Sequence, residues 1–225
     1  MIYRSGLRTA LGIRSNINNE IIYTESGKYP LKCRIAKQQL KFWMSLKDYV
    51  AESPESALKY LLDVANEIDL PYIKWYKNLE SEYGSPATCK RNLETSFTTT
   101  WKTNFDNAVH DIDSRLGTYT QVNPTLSTPK YIDKIMFETD RLILTRFRCG
   151  SHSLLIEKGR YTNIPRCDRL CSCGTGIQNV IHCFTTCPST LPLLEKRYTS
   201  LREVFEEDNI CVMLHKVCKE LKIPV

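Results

Sequence analysis

Half of the ten cysteines of this chain lie within 21 residues, between Cys167 and Cys187, and a histidine stands among them. Thiolate sulfur and imidazole nitrogen are the donors that zinc prefers, and a structural zinc site takes four of them in a tetrahedron. The spacing C-x-C-x8-H-x4-C provides such a set. The sequence therefore predicts a structural Zn²⁺ site whose ligands are Cys171, Cys173, His182 and Cys187.

The first ligand pair has only one intervening residue, which is tighter than the usual two. In an extended segment alternate side chains point the same way, from Cα atoms about 6.6 Å apart. Two inward-leaning thiols can then approach to under about 4 Å, as tetrahedral zinc requires. Gly174 and Gly176 permit the backbone reversal that must follow. A catalytic zinc keeps one position open, so this many protein donors favour a closed site without chemistry.

The second ligand pair leaves alternatives open. If a helix runs through 182–187, His182 and Cys187 lie about 140° apart, whereas Cys183 and Cys187 share a face. Cys183 is then a rival for His182, and His182 is favoured if helix formation is delayed until after it. Cys167 is a rival at the other end. The plainer alternative is a set of buried free thiols in a helical core with an incidental histidine.

Positive charge is concentrated in two stretches of a chain whose net charge is +6. Residues 28–47 contain six basic residues and no acid, and residues 141–170 contain seven against Glu157 and Asp168. Concentrated cations attract a polyanion, although a basic stretch can also be a solvated helix face. We predict phosphate contacts and base stacking at Arg146, Arg148, His152, Lys158, Arg160, Tyr161, Arg166 and Arg169.

If six such phosphate contacts form, the logarithm of the binding constant should fall with the logarithm of the salt concentration, with a slope on the order of −4 to −5. The predicted partner is RNA and/or DNA, with no membrane and no small-molecule substrate. The scattered acids do not form a carboxylate site, so no enzyme activity is expected. Without an apolar run of ~20 residues or a signal peptide, the expected location is intracellular, nuclear and/or cytoplasmic. Cysteines in such a compartment serve as thiols or metal ligands rather than disulfides.

Apolar residues recur with helical rather than alternating spacing along most of the chain. The predicted fold is all-α, a helical bundle with a small irregular zinc knuckle near the C-terminus. We expect a helical region over 1–125, then a helix, the knuckle (about 160–190) and two closing helices over 126–225. Particular expectations are a helix start at Ser53-Pro54, a loop over 117–129, one helix from Lys130 to Arg148, and closing helices Leu191–Glu207 and Ile210–Leu221.

The run LTRFRCGSHSLLIEKGRYTNIPRCDRLCSC…VIHCFTTCP resembles the zinc-binding region near the C-terminus of reverse transcriptases of non-LTR (LINE-type) retrotransposons. The residues that match the family's pattern are Arg146, Arg148, His152, Gly159, Arg160, Arg169, Cys171, Cys173, His182, Cys187 and Pro188. The family's usual C-x-x-C pair is shortened here to C-x-C. The N-terminal part is similar to the segment after the polymerase thumb, through Leu11-Gly12, Tyr23, Glu25, Gly27 and Tyr29-Pro30-Leu31.

The resemblance implies a non-catalytic module of a reverse-transcriptase polyprotein that holds template RNA or target DNA during target-primed reverse transcription. The polymerase's paired aspartates are missing, since no Asp-Asp dipeptide occurs in the chain. The chain is therefore expected to be a C-terminal piece that partners the rest of the polyprotein. Two other readings stay open: a zinc-stabilised helical scaffold for protein interactions, and a nonfunctional remnant of a mobile element.

Overall fold

The computed structural model describes residues 2–111, 114–134 and 137–224, and this part of the chain is all-α. It contains no strand, and its one isolated β-bridge pairs Leu170 with Ile177. The helices are α1 (Ile2–Leu11), α2 (Asn19–Ser26), α3 (Leu31–Glu52), α4 (Ala57–Glu67), α5 (Pro71–Tyr83), α6 (Pro86–Ala108), α7 (Arg115–Val122), α8 (Tyr131–Lys134), α9 (Glu138–Arg148), α10 (Leu155–Tyr161), α11 (Val180–Thr185), α12 (Leu201–Phe205) and α13 (Ile210–Glu220). The predicted fold class is confirmed.

The chain divides into two compact units. Residues 29–101 form the helical unit, and residues 1–28 with 102–225 form the knuckle unit. The division into regions 1–125 and 126–225 that the sequence indicates stays a prediction. Within the described ranges, no helix has the length and apolarity needed to cross a membrane.

The helical unit is built on the buried side of α3. Cys33, Ala36, Leu40 and Trp43 pack against residues of α5 and α6 such as Leu93, and the Trp43 ring stacks on Tyr76 with 5.2 Å between centroids. Two other apolar residues of this helix, Ile35 and Phe42, are exposed. Helix α4 buries none of its residues fully. The unit thus has a small core and an apolar surface on α4.

The knuckle unit has the larger core, in which α9 packs against α13 and α11 packs against α12. Phe147 and Phe184 meet edge to face, with 6.4 Å between ring centroids and an interplanar angle of 88°. Phe184 lies on α11, between two of the predicted metal ligands in the chain. The irregular knuckle is therefore anchored to the core by its own short helix.

A buried ion pair joins the N-terminal segment to α9. Glu25 is fully buried, and its carboxylate accepts hydrogen bonds from Arg148 Nε at 2.6 Å, Tyr131 Oη at 2.6 Å and Tyr119 Oη at 2.7 Å. The buried charges are thus matched by several charge-assisted hydrogen bonds, which is the condition under which a buried ion pair is tolerated.

Several predicted helix boundaries are wrong. The side chain of Ser56, rather than Ser53, accepts the Lys59 N–H and begins α4. Ser114 caps a helix over Arg115–Val122 inside the predicted loop. The predicted helix 130–148 is interrupted, because Phe137 has an extended backbone and α9 begins after it; Ile135 and Met136 lie outside the described residues.

The first closing helix is also much shorter than predicted. Leu194 is extended after a turn of 3₁₀-helix over Leu191–Leu193, and the hydroxyl of Ser200 caps α12 by accepting the Glu203 N–H. The second closing helix, Ile210–Glu220, agrees with its prediction to within one residue.

Candidate metal centre

The first two cysteines lie on a tight backbone reversal. The Cys171 N–H donates to Gly176 O at 2.8 Å, and the Gln178 N–H donates to Arg169 O at 2.8 Å. Gly174 turns the chain with φ +74°, a left-handed conformation that favours glycine. The reversal brings the C-x-C pair back toward α11.

The second pair uses the end of α11. Asn179 caps this helix by accepting the His182 N–H at 2.7 Å, so His182 lies inside the helix. The helix ends at Thr185, and the Cys187 N–H donates to His182 O at 2.8 Å. The predicted condition that the helix starts after His182 is therefore wrong. His182 and Cys187 converge because the helix ends between them, so the 140° separation of a continued helix does not arise.

The four predicted ligands meet at one point. Their donor atoms all lie within 4.8 Å of one another. Cys171 Sγ and Cys187 Sγ are 3.7 Å apart, and Cys173 Sγ lies 3.2 Å from His182 Nε2. Two sulfurs bound to one tetrahedral zinc at 2.3 Å are about 3.8 Å apart. The cluster has the donors and the spacing to hold a metal ion.

The imidazole ring of His182 is held from its other side. Its Nδ1 lies 3.0 Å from Thr186 Oγ1, while Nε2 faces Cys173. A metal-ligating histidine commonly donates its second N–H to such a neighbour, which fixes the tautomer and the ring orientation. A Cβ at Gly176 would lie 3.1 Å from Nδ1, so glycine leaves room for the ring at this position.

The thiols of the cluster differ in acidity. Burial raises the pKa of Cys171 to about 11, with the Cys187 and Cys173 sulfurs adding to the effect. Burial also acts to raise the pKa of Cys173, but hydrogen bonds with Thr175, His182 and Cys171 lower it to about 6. The thiolate is the form that binds metal, so Cys173 is the thiol best prepared to become a ligand.

Neither rival cysteine belongs to the cluster. Cys183 is fully buried in the hydrophobic core, and burial raises its pKa well above the ordinary value. Cys167 is exposed, within the 3₁₀-turn Arg166–Asp168. Among the residues that the structure describes, the metal-binding group consists of the four predicted ligands alone.

The predicted nucleic-acid residues divide into two sets. Lys158, Arg160, Tyr161 and Arg166 are exposed, and we name residues 158–166 the basic segment. Arg148 and His152 are buried, so neither lies on the exposed surface. The guanidinium groups of Arg146 and Arg169 are partly buried and donate to backbone carbonyls: Arg146 Nε to Gly12 O, and Arg169 Nε and Nη1 to Ile164 O and Ile156 O.

The basic segment is attached directly to the knuckle. Leu155 N–H donates to Gln178 Oε1 at 2.9 Å, and Ile156 N–H donates to Gln178 O at 3.1 Å. Arg169 packs across Gly159 so closely that a Cβ there would lie 2.3 Å from Arg169 Nε. The turn that carries the C-x-C pair and the helix that carries the basic segment are thus one connected piece.

Sequence reasoning missed two residues that organise this piece. Gln178 is buried, and only its polarity within an apolar surrounding could have marked it. Glu157 is also buried and pairs with both Arg115, at 2.6 Å, and Arg160, at 3.0 Å. The available signal was that Glu157 is one of only two acids in a strongly basic stretch. No family model, curated protein or solved structure matches this chain.

Proposed function

We propose that this protein is a non-catalytic module that binds RNA or DNA, with a structural zinc ion holding its binding surface in shape. One observation carries the proposal: the backbone of α10, the helix in which the basic segment begins, is hydrogen-bonded through Gln178 and Arg169 to the knuckle that gathers the four candidate ligands. Fixing the metal-binding turn therefore fixes the surface.

Zinc is the proposed ion because the donor set is three sulfurs and one imidazole nitrogen. This soft set suits tetrahedral zinc, whereas oxygen-rich sites suit magnesium or calcium. When bound, the ion supplies folding free energy to the turn. The protein's own residues orient the ligands through Asn179 and Thr186.

The exposed cations set the strength of binding. Lys158, Arg160 and Arg166 are the exposed cations of the basic segment, and Tyr161 offers a ring, 48% exposed, for base stacking. Three phosphate contacts give a log–log salt slope of about −2 to −3. This is shallower than the slope expected from the sequence, because Arg148 is buried and the partly buried guanidinium groups of Arg146 and Arg169 donate to backbone carbonyls.

We further propose that the chain corresponds to the C-terminal region of a non-LTR retrotransposon reverse transcriptase, holding template or target in target-primed reverse transcription. Two features support this proposal. The knuckle residues that carry the resemblance meet in one cluster. The separately resembling segments also meet, because Glu25 of the N-terminal segment pairs with Arg148 of the Arg-x-Arg pattern.

A charge-reversal experiment tests nucleic-acid binding. Lys158→Glu/Arg166→Glu should weaken binding of a single-stranded RNA by tenfold or more at moderate salt, measured by fluorescence anisotropy. The matched control is Lys37→Glu/Lys41→Glu, which makes the same change of net charge at exposed positions on α3. We expect the control to keep most of the affinity.

Two outcomes contradict the proposal: an affinity that does not respond to salt, and equal losses in the two double variants. Equal losses would show that net charge, rather than the basic segment, attracts the strand. Circular dichroism and zinc content of each variant establish that the fold is retained. Single-stranded RNA, single-stranded DNA and duplex probes, used in parallel, identify the preferred partner.

A protein-interaction scaffold is the second candidate, favoured by the surface of α4. Leu58 and Leu61 on this helix, and Ile68 at its end, are 45%, 59% and 63% exposed. Contiguous exposed apolar groups are typical of a surface that another protein covers. An unchanged fold together with no measurable affinity for any nucleic-acid probe would favour this candidate.

A further inference from the structure

A cavity of 370 Å³ in the knuckle unit carries two arginines that have no carboxylate partner. Its polar lining comes from Arg14, Arg146, Ser151, His152 and Ser153. No aspartate or glutamate of the described ranges lines it. The basic segment adjoins the cavity, because the Arg14 guanidinium carbon lies 4.7 Å from the centroid of the Tyr161 ring.

The two arginines differ from Arg115 and Arg148 of the same unit. Arg148 and Arg115 are each paired with a glutamate, at 2.6 Å in both cases. In the part of the chain that the structure describes, Arg14 and Arg146 form no ion pair, and the buried Nη1 of Arg14 has no hydrogen-bond partner. A buried, charged N–H without an acceptor costs considerable free energy.

An oxyanion in the cavity would supply the two guanidinium groups with the negative charge that the lining lacks. The guanidinium fork presents several N–H donors in a plane and matches the oxygens of a phosphate group. The nearby Ser151 hydroxyl accepts the Arg14 backbone N–H at 2.9 Å, and its own O–H can still donate. Donors of several kinds therefore surround the cavity, and the lining has no negative charge to compete with a phosphate.

His152 adds a further hydrogen-bond donor to the cavity without adding a charge. The side chain is 4% exposed, and its Nδ1 has no partner among the described residues. Burial, together with the positive charges of Arg14, Arg115 and Arg160, lowers the pKa of His152 to about 3. The neutral ring carries one N–H and one free nitrogen, so it can donate one hydrogen bond to an anion.

We propose that this cavity binds one phosphate group of a nucleic-acid strand, held by Arg14 and Arg146 with Ser151 and His152 beside them. The choice of a nucleic-acid strand rests on the proposed function and on the contact between Arg14 and Tyr161. The phosphate is either an internal phosphodiester or a terminal phosphate monoester. The contacts proposed inside the cavity involve only the phosphate group and not the rest of the strand.

Titration of the intact protein with inorganic phosphate tests the cavity alone. We expect saturable amide shifts, in two-dimensional NMR at millimolar phosphate, that are confined to the residues around Gly12, Arg14, Ser151 and Ser153. Shifts only at the exposed basic segment, or none at all, would overturn the proposal. This measurement needs no variant, so a folding defect cannot obscure it.

Oligonucleotides that differ only at the 5′ end identify the source of the phosphate. Arg14→Gln and Arg146→Gln should each weaken binding of a 5′-phosphorylated single strand about tenfold. Arg197→Gln, at an exposed arginine outside the cavity, is the matched control and should have little effect. An equal loss for the 5′-hydroxyl strand assigns the cavity to an internal phosphodiester, and a loss confined to the phosphorylated strand assigns it to the terminal monoester.

The failures of the two proposals are distinguishable. If inorganic phosphate shifts the cavity residues but no strand binds, the cavity is an anion site and the proposed nucleic-acid function is wrong. If strands bind through Lys158 and Arg166 but neither cavity variant alters their affinity, the function stands and this inference is wrong.

Discussion

The two basic stretches look alike in the sequence and differ in the structure. All six cations of residues 28–47 are exposed. Residues 141–170 instead place Arg148 in the core and use the guanidinium groups of Arg141, Arg146 and Arg169 as donors to backbone carbonyls. With a similar density of positive charge, residues 28–47 form a solvated surface, whereas the arginines of residues 141–170 hold parts of the fold together.

The difference follows from the type of cation. The first stretch has five lysines and one arginine, whereas the second has six arginines and one lysine. Lysine is a strongly hydrated point charge on a flexible stem, whereas arginine presents five donors in a rigid fork and is more weakly hydrated. Arginine can therefore satisfy several acceptors at once inside a protein, and the arginine-rich stretch is the one that enters the core.

The sharpest test of this contrast removes one cation from each stretch. Arg148→Met leaves the carboxylate of Glu25 buried without its partner, so we expect the free energy of unfolding to fall by about 3–5 kcal/mol. Lys41→Met, at an exposed position on α3, should change it by less than about 0.5 kcal/mol. Urea unfolding followed by circular dichroism, with hydrogen exchange at the α9 amides, measures both.

A loss below about 1 kcal/mol for Arg148→Met would contradict the assigned framework role. The double variant Glu25→Gln/Arg148→Met separates the cost of an orphaned charge from the value of the pair itself. Replacing both partners should recover part of the lost stability, since no charge is then left unpaired in the core.

The pKa of His152 is lowered by its burial and by the positive charges of nearby arginines. Because its pKa falls from 6.5 in the unfolded chain to about 3 in the folded one, the unfolded chain binds the extra proton first as pH falls. The contribution of His152 to stability is complete above pH 6.5 and is lost toward pH 3. Lowering the pH from 7 to 5 should therefore reduce the free energy of unfolding of the parent protein by about 2 kcal/mol through this group.

The variant His152→Phe keeps an aromatic ring beside Phe147 but has no proton to bind. We expect its free energy of unfolding to change less with pH over that interval, in buffers without phosphate. Equal pH dependence in the variant and the parent would mean that His152 is accessible to protons in the folded protein, against its burial.

A small effect is expected at the exposed ion pair of the lysine-rich stretch. Lys47 Nζ lies 2.8 Å from Glu80 Oε1, nearly the separation of Arg148 from Glu25, but the two side chains are 42% and 31% exposed. Hydrogen bonds from Lys47 and from Trp43 lower the pKa of Glu80. Lys47→Met should cost at most about 1 kcal/mol.

Tryptophan fluorescence suits this measurement, because Trp43, Trp75 and Trp101 all belong to the helical unit. A loss near that of Arg148→Met would show that distance rather than burial decides the strength of an ion pair in this protein. Repeating the measurement at high salt should remove most of the small effect, since exposed charges are screened.

Local patterns predicted the elements that depend on local interactions. The helices around Leu40 and Leu214 follow from apolar spacing, and the metal ligands follow from donor chemistry and chain spacing. The predicted convergence of His182 with Cys187 is present, but the reason given for it, a helix that starts after His182, is wrong. Periodicity could not show that α11 begins at Val180 and ends at Thr185, because that depends on the Asn179 cap and on packing of Phe184.

The roles of the arginines could not be predicted from local sequence. Arg148 finds Glu25 across 123 positions of the chain, and Arg115 finds Glu157 across 42. Such pairings depend on the tertiary fold, which a charge count does not contain. Burial therefore removed Arg148 and His152 from the predicted binding surface, whereas Lys158 and Arg166 are exposed and their role in binding stays a prediction.

Zinc content of the purified protein tests the central claim most directly, with Cys171→Ser/Cys187→Ser as the variant and Cys33→Ser/Cys89→Ser, at buried cysteines of the helical unit, as the matched control. We expect about one zinc per chain in the parent and the control, and none in the variant. A parent without zinc, or a variant that retains it, would contradict the account.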